Sequence, residues 1–563
     1  MIFSIAALLA GMFLYCSRSG SSNRNRVVLI GIDGGDLEIL TRLVNEGKMP
    51  HFKKLMEEGS SGHLNSLAWR QLIYGSKGYY SPIVWAAIAT GKSPAKNGIE
   101  DFTLPLPSHL IAYLIPATQT GYASVKLPEG SGSVSRILVK ARSESAGKPI
   151  SLTVYLNKTS LKQIRLENKW QVYSITVPSN ALSTDNVLYF YYEVDPSIIG
   201  KPLADFNYIR LYDANQQELS DVHVLRERAL YKDGWQINKP DIMTTSSSFD
   251  LRVNTVWDIL SKAKKKVAVI GWWSTYPATP VNGYLISSNL GHQGQVMKGV
   301  DRNEYLTKLK KLTYPENYLN EVQNKIFLED SLSKEIVQRF YDPGLCSCIG
   351  SKQDYLFKSF YWQDRLFEEL GLDLLKNKGP FDFFTVYFRG VDTAGHQFLQ
   401  FTAGSDSLKQ CTGCNIDRLP AIVDNYYIYM DEAVGKIMKY NDENTITMIV
   451  TDHGQYNSGA HGNHRNNGFI VIGGKAVRKH IMIRANVIDV TPTLLYLMGV
   501  PIAQDMDGSV MLEAFDPAYI AKHPVLVTGT YETPGQNEKK EEVVDQRRDE
   551  QEMEELKALG YVN

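Results

Sequence analysis

Val27-Val28-Leu29-Ile30-Gly31-Ile32-Asp33, written VVLIGID, is the stretch that decides the fold. Six residues without a polar side chain end abruptly at an acid. A strand with one face in water alternates polar and apolar residues. A strand buried on both faces of a parallel sheet does not, and this run reads as that second kind. In open α/β sheets, ligands collect outside the carboxyl ends of the strands, where Asp33 falls. The pattern recurs twice. FFTVYFRG, residues 383–390, leads into VDTAGH with Asp392 and His396. TITMIVT, residues 445–451, leads into Asp452 and His453, with His461 and His464 close behind. One such Asp is ordinarily a helix N-cap, and one such His is ordinarily structural. The set of three strand-end acids with attendant imidazoles points to chemistry instead.

Working outward from Asp33, Leu37, Leu40 and Val44 recur at helical spacing. SPIVWAAIATG, residues 81–91, reads as a second helix, with Ser81 placed like an N-cap and Pro82 like the first helical residue. A helix N-terminus also favours a bound phosphate and an alkoxide, so Ser81 is the candidate nucleophile. Thr90 belongs to the same helix, a few turns away. Carboxylate plus imidazole is a zinc-type donor mixture. Paired cations can clamp the entering and departing oxygens of an in-line displacement at phosphorus.

A length of 563 residues exceeds one compact core, so at least two folding units are expected. Residues 1–25 form a leader and linker, and 26–104 the first part of an α/β core. Residues 105–225 form an inserted β-sandwich. Between Tyr122 and Asp213, seven short β runs are punctuated by turn formers, with no helical period. Residues 226–515 return to α/β texture, with a charged helical cap or lid at about 300–378. Its further strand GFIVIGG precedes the helix VIDVTPTLLYLMG, which stops at Gly499 before Pro501. Residues 516–563 are a terminal strand and a charge-alternating tail. The expected fold is thus α/β, a three-layer sandwich around a mostly parallel sheet, with an all-β, jelly-roll-like insert.

Lys plus Arg number 60 and Asp plus Glu 61, which leaves no polybasic footprint for a nucleic-acid polymer. The opening IFSIAALLAGMFLYC is too short for a membrane span of about 20 residues and resembles a signal h-region. No Lys or Arg precedes it, and an uncleaved anchor is the other reading. The expectation is an exported protein, periplasmic or at the cell surface, anchored to a membrane at its N-terminus. Cys16 stands where a lipidated cysteine would, although Tyr15 is large for a lipoprotein cleavage site. Cys346, Cys348, Cys411 and Cys414 suit two disulfides in an exported chain, or alternatively a four-thiolate zinc site.

LIGIDGGD, SPIVWAAIATGKSPAKNGI, VDTAGH, VTDHGQ, HRNNGFIVIGG and DVTPTLLYLMGVP together resemble the type I phosphodiesterase and nucleotide pyrophosphatase branch of the alkaline phosphatase superfamily. The resemblance covers most of the chain outside the leader, the insert and the tail. It implies two divalent metal ions, Zn2+ by family habit. One would be held by Asp392, His396 and His464, and the other by Asp33, Ser81, Asp452 and His453. His461 competes with His464 for the last place. It further implies attack by Ser81 and a phospho-serine intermediate. Animal nucleotide pyrophosphatases have T-F-P-N at the nucleophile, whereas this chain has Ser81, Pro82, Ile83 and Val84. The missing Asn counts against a nucleotide substrate.

The leading expectation is an exported two-metal phosphodiesterase acting on a small phosphodiester. A second reading moves a phospho-alcohol head group onto lipid or glycan. A third makes the chain a surface glycan-binding protein with a vestigial core. Trp170, Tyr173, Tyr189, Tyr191 and Tyr192 in the insert could stack on sugars or fill its core. Trp272 and Trp273 could line a substrate pocket or pack the core.

Overall fold

The computed structural model describes residues 25–67, 81–99, 103–105, 112–116, 118–127, 131–144, 149–169, 171–215, 219, 235–237, 243–291, 311–325, 329–342, 347–412, 416–459 and 462–532. The leader with Cys16, the tail beyond 532, and Trp170, Cys346, Cys414 and His461 lie outside them. The chain divides into two compact units, one spanning Pro105–Thr244 and one built from the segments on either side.

The larger unit is organised by one nine-stranded sheet. Its strands are β1 (Arg26–Ile32), β2 (Ser60–Asn65), β3 (Val267–Ile270), β4 (Gly283–Ile286), β5 (Thr313–Tyr314), β6 (Phe383–Phe388), β7 (Thr445–Val450), β8 (Gly468–Gly473) and β9 (Met482–Asn486). They lie in the order β5-β4-β3-β6-β1-β7-β8-β2-β9. From β4 to β7 the strands run parallel, while β8 is antiparallel to both of its neighbours and β5 is antiparallel to β4. VVLIGI is the central strand. Val28, Ile30 and Ile32 enter one apolar cluster, and Val27 and Leu29 enter the other, on the opposite face. That two-sided burial is why the run is continuous rather than alternating. β2 and β9, SSGHLN and MIRAN, were not legible as strands because each has too few apolar residues to show a period.

Helices cover both faces. On the face of Val28 and Ile30 lie α1 (Leu37–Asn45), α2 (Pro50–Glu58), α5 (Ser351–Asn377), α6 (Gly390–Phe398) and α7 (Ile422–Met438). On the other lie α3 (Ser81–Thr90), α4 (Val256–Lys262) and α8 (Val490–Leu497). All ten residues of α3 are buried, so it is a core helix, apolar on every side between Ser81 and Thr90. The cap expected at about 300–378 is corrected in its last third. α5 is part of the layer against the sheet, with Leu366, Phe367, Leu370 and Leu374 fully buried. Burying each is worth about 1.5–3 kcal/mol, which no detached lid would recover. Trp272 is also core, wholly buried against Trp85 and Trp257.

The smaller unit is two antiparallel sheets. One has four strands ordered Thr120–Lys126, Val187–Glu193, Ile150–Leu156 and Thr159–Leu166. The other has five, ordered Trp235–Ile237, Ala112–Leu114, Ala204–Tyr212, Arg136–Ser143 and Gln171–Thr176. All seven expected runs are strands. Their alternate residues, among them Val125, Val139, Val154, Phe190 and Ile209, make one core. The unit continues to Thr244, past the expected 225, because Trp235–Ile237 pairs with Ala112–Leu114. Tyr192 is core, whereas Tyr189 and Tyr191 stand on the outer face beside Tyr122 and Tyr155. Tyr173 is half-buried, its hydroxyl donating to the Arg165 carbonyl at 2.8 Å. Cys348 and Cys411 form a disulfide within the larger unit.

Candidate active site

The register of three adjacent strands builds the site. Ile32 of β1 pairs with Phe388 of β6, and Gly31 pairs with Val450 of β7. The three strands therefore end together, and the residues that follow them, Asp33, Asp392 and Asp452, meet at one edge. Gly34 makes the meeting possible. Its φ is +69°, and a Cβ there would lie 2.7 Å from the Cα of Asp392. Only glycine accepts both the left-handed backbone and that approach.

Asp392 and His396 sit one turn apart on α6, on one helical face. The N-terminus of α6 is held by Asp364 of α5, which accepts from the Arg389 and Gly390 amides at 2.9 Å each and from the Tyr426 hydroxyl at 2.9 Å. Burial pushes the Asp364 carboxyl up to about 7. His464 arrives on a hairpin, Gly454–Asn457 paired with Gly462–Arg465. Arg465, next to it, grips Asp36 with two bonds of 2.7 Å, and buried Asp36 is also the N-cap of α1. The hairpin is thereby tied to the helix that follows Asp33.

The imidazoles present Nε2 to a common cavity. His396 Nδ1 lies 3.0 Å from the Gly462 carbonyl and His453 Nδ1 lies 3.2 Å from the Gly454 carbonyl. Both carbonyls can only accept, which assigns the proton to Nδ1 and the lone pair to Nε2. His396 Nε2 and His464 Nε2 are 2.8 Å apart, and each is 3.4 Å from Asp392 Oδ1. His453 Nε2 is 3.3 Å from Asp452 Oδ2, 3.5 Å from Asp33 Oδ1 and 4.0 Å from Asp392 Oδ1. The His453 and His464 rings stack with centroids 3.8 Å apart. Ser81, the first residue of α3, donates its hydroxyl to Asp33 Oδ1 at 3.1 Å.

Two Asp/His groups could each hold a cation: Asp33, Asp452 and His453, and Asp392, His453 and His464. His396 stands within 3.4 Å of the second. The donor set passes a test of fit. Asp452 Oδ2 and His453 Nε2 are fully buried and have no hydrogen-bond partner. Two orphaned acceptor positions facing each other cost free energy in an empty cavity and none beside a cation. The electrostatics agree. Burial raises Asp33 to about 6 and raises Asp452 well above the usual range, with neighbouring carboxylates adding to it. Burial also opposes ionisation of Asp392, but the surrounding imidazoles of His396, His464 and His453 outweigh it and hold that carboxyl far below its usual range. Burial lowers His453 to about 4 and lowers His464 as well, so both rings are neutral donors at pH 7.

The structure brings Asp33, Ser81, Asp392, His396, Asp452, His453 and His464 to one place. Sequence reasoning missed the groups that steer them. Gln455 Nε2 donates to Asp392 Oδ1 at 2.7 Å and to its carbonyl at 2.9 Å. Trp85 Nε1 donates to Asp33 Oδ2 at 3.2 Å, and the Tyr387 hydroxyl donates to the same oxygen. Each of the three lies inside a motif already noticed, but nothing local announces its partner.

The family model for type I phosphodiesterase / nucleotide pyrophosphatase matches residues 27–108 and 211–493. No curated protein matches the chain. Among solved structures, wild-type alkaline phosphatase PafA is 11% identical, with 88% of this chain and 100% of that one covered and a TM-score of 0.42. Murine ectonucleotide pyrophosphatase/phosphodiesterase 5 is 9% identical, with 84% and 95% covered and a TM-score of 0.34. A putative sulfatase from Bacteroides thetaiotaomicron VPI-5482 is 9% identical, with 87% and 74% covered and a TM-score of 0.38.

Proposed function

The chain belongs to the type I phosphodiesterase/nucleotide pyrophosphatase family, a family of hydrolases, and from that premise we propose that it cleaves a small phosphodiester with Ser81 as nucleophile and two divalent cations as cofactors. One observation carries this reading. The Ser81 hydroxyl points at Asp33 Oδ1, on the rim of two Asp/His groups that share His453. Asp33, Ser81, Asp452 and His453 would hold one cation, and Asp392, His396 and His464 the other. The mixed carboxylate and imidazole donors suit Zn2+. When bound, the cations would lower the hydroxyl pKa and draw off charge developing on the phosphoryl oxygens.

The chain's own groups do the rest. Asp33 Oδ1 takes the hydrogen bond from Ser81 and so fixes the direction of its lone pairs. In the first step the Ser81 Oγ–P bond forms, the ester P–O bond breaks, and the alcohol leaves with a proton. In the second, water attacks the phospho-serine, the Oγ–P bond breaks, and Ser81 regains its proton. Ser81 opens α3, so the helix N-terminus would favour the negative charge of a phosphoryl group carried on its hydroxyl. Pro82, Ile83 and Val84 follow Ser81 with no amide side chain among them, which favours a diester other than a nucleotide. The apolar leader supports export.

A substrate panel on Zn2+-loaded protein tests the proposal, with nucleotide diesters, glycerophosphodiesters, monoesters and sulfate esters side by side. Cation-dependent cleavage of diesters above monoesters is expected. Turnover that ignores chelation, or a preference for sulfate esters, would overturn it.

A further inference from the structure

Asp33 has two carboxylate oxygens, and the structure treats them differently. Oδ1 faces the cavity, 3.1 Å from Ser81 Oγ and 3.5 Å from His453 Nε2. Oδ2 faces away and is occupied by two neutral donors, the Tyr387 hydroxyl and Trp85 Nε1. Tyr387 is held in turn, since Trp273 Nε1 donates to its oxygen at 2.7 Å. All of these side chains are buried: Trp85 is 1% exposed, Tyr387 3% and Trp273 6%. Their rings brace one another, Trp85 meeting Tyr387 edge-on at 5.0 Å and Trp272 at 5.2 Å. None of this geometry serves packing alone, because phenylalanine would fill the place of Tyr387 equally well.

We propose that Tyr387 is a positioning residue for the reaction. By saturating Asp33 Oδ2, it keeps the carboxylate from swinging about Cβ–Cγ and leaves Oδ1 as the one oxygen offered to Ser81 and to a cation. The inference rests on the proposed function and deepens it. The hydrogen bonds converge on Asp33: Trp273 donates to Tyr387 and Tyr387 to Asp33 Oδ2 from one side, while Ser81 donates to Asp33 Oδ1 from the other. Tyr387 therefore acts on the nucleophile through the carboxylate and touches no substrate. Removal of such outer partners typically weakens metal binding or activity by about 10–100-fold.

The experiment compares wild type with Tyr387→Phe, which keeps the ring and deletes the hydroxyl. Zn2+ affinity is read by competition with a chromophoric chelator, beside kcat and KM on a chromogenic diester. Expected are a Zn2+ affinity about 10–100-fold weaker and a kcat lowered by a similar factor, with KM changed less than about twofold. A role in packing alone would leave the affinity alone. Wild-type affinity together with wild-type kcat would overturn the assignment while leaving the proposed function standing, whereas failure of the wild-type protein to bind Zn2+ would overturn both. If Tyr387→Phe does not fold, Trp273→Phe takes its place. It removes the donor that directs the Tyr387 hydroxyl without touching Asp33. Weakened affinity there supports the role, and unchanged affinity rejects it.

Discussion

His396 Nε2 and His464 Nε2 lie 2.8 Å apart, although the residues are 68 positions distant in the chain and reach the cavity on a helix and a hairpin. The Nδ1 of His396 is committed to the Gly462 carbonyl, so its Nε2 offers a lone pair. Two imidazoles in that posture share one proton, or they share a cation. Titration of the protein with Zn2+ should move both Nε2 resonances in 15N spectra at the same stoichiometric step. Movement of the His396 signal without that of His464 would remove His464 from the ligand set and return the place to His461.

Ser81→Ala should lower turnover by at least ~10³-fold, as loss of a nucleophile does, while the bound cation count stays within one of wild type. Phosphate label trapped by acid quench on wild-type protein, and absent from the variant, is the companion measurement. Turnover near wild type would transfer the nucleophile's role to another group.

Proton release should accompany cation binding. Burial lifts Asp33 to about 6 and lifts Asp452 well above its ordinary 3.8, so the cation-free fold retains protons that the unfolded chain gives up. The sign follows from linkage. The stabilisation from this retained protonation is complete below about 3.8 and is lost as pH rises through 6. A cation competes with the same protons. Calorimetric titration at pH 6 in two buffers of different ionisation enthalpy should report release of about one proton or more, with affinity weakening as pH falls further. Affinity independent of pH between 5 and 7 is incompatible with this account.

Gly395→Ala offers a test in which two effects oppose. In a helix interior the change ordinarily gains up to about 1 kcal/mol. At this position the new Cβ would collide with the side-chain amide of Gln455, itself 2% exposed and clamped on Asp392. The clamp should give way, with Zn2+ affinity falling about 10–100-fold even if the melting temperature holds. Gln455→Ala makes room but leaves Asp392 unheld, so the double variant should lose no more than either single one.

Arg465→Met removes the partner of a buried carboxylate. Asp36 keeps the Glu38 and Gln455 amides, so a loss near the low end for such pairs, about 3 kcal/mol, is expected by denaturant unfolding. The hairpin bearing His464 should loosen with it, and the second cation should bind more weakly than the first. Equal weakening of both would show that Asp36 supports the whole site rather than the hairpin.

The strand-end acids were legible because β1, β6 and β7 are buried on both faces, and such strands announce themselves as unbroken apolar runs. β2 and β9 were not, since SSGHLN and MIRAN carry too few apolar residues to show a strand period at that end of the sheet. α5 was misread as a lid because its charged face dominates the count, while Leu366 and Leu370 acquire meaning only against the sheet. Asp33, Asp392, Asp452 and His453 follow their strands within four residues. Their supports do not: Tyr387 meets Asp33 across 354 positions and Arg465 meets Asp36 across 429. No local pattern encodes a bond of that reach. Nor does the sequence say which tyrosines of the insert face out, since Tyr191 and Tyr192 are neighbours that parity alone separates.

The central place of β1 has a consequence for biosynthesis. It emerges from the ribosome early, yet its neighbour β6 is encoded about 350 residues later. At the usual ~5–20 residues per second, a strand with two greasy faces waits roughly 20–70 seconds for a mate, while the interposed β-sandwich, with a core of its own, has everything it needs to fold. The nascent chain thus carries a module able to finish folding beside a strand still waiting for its partners.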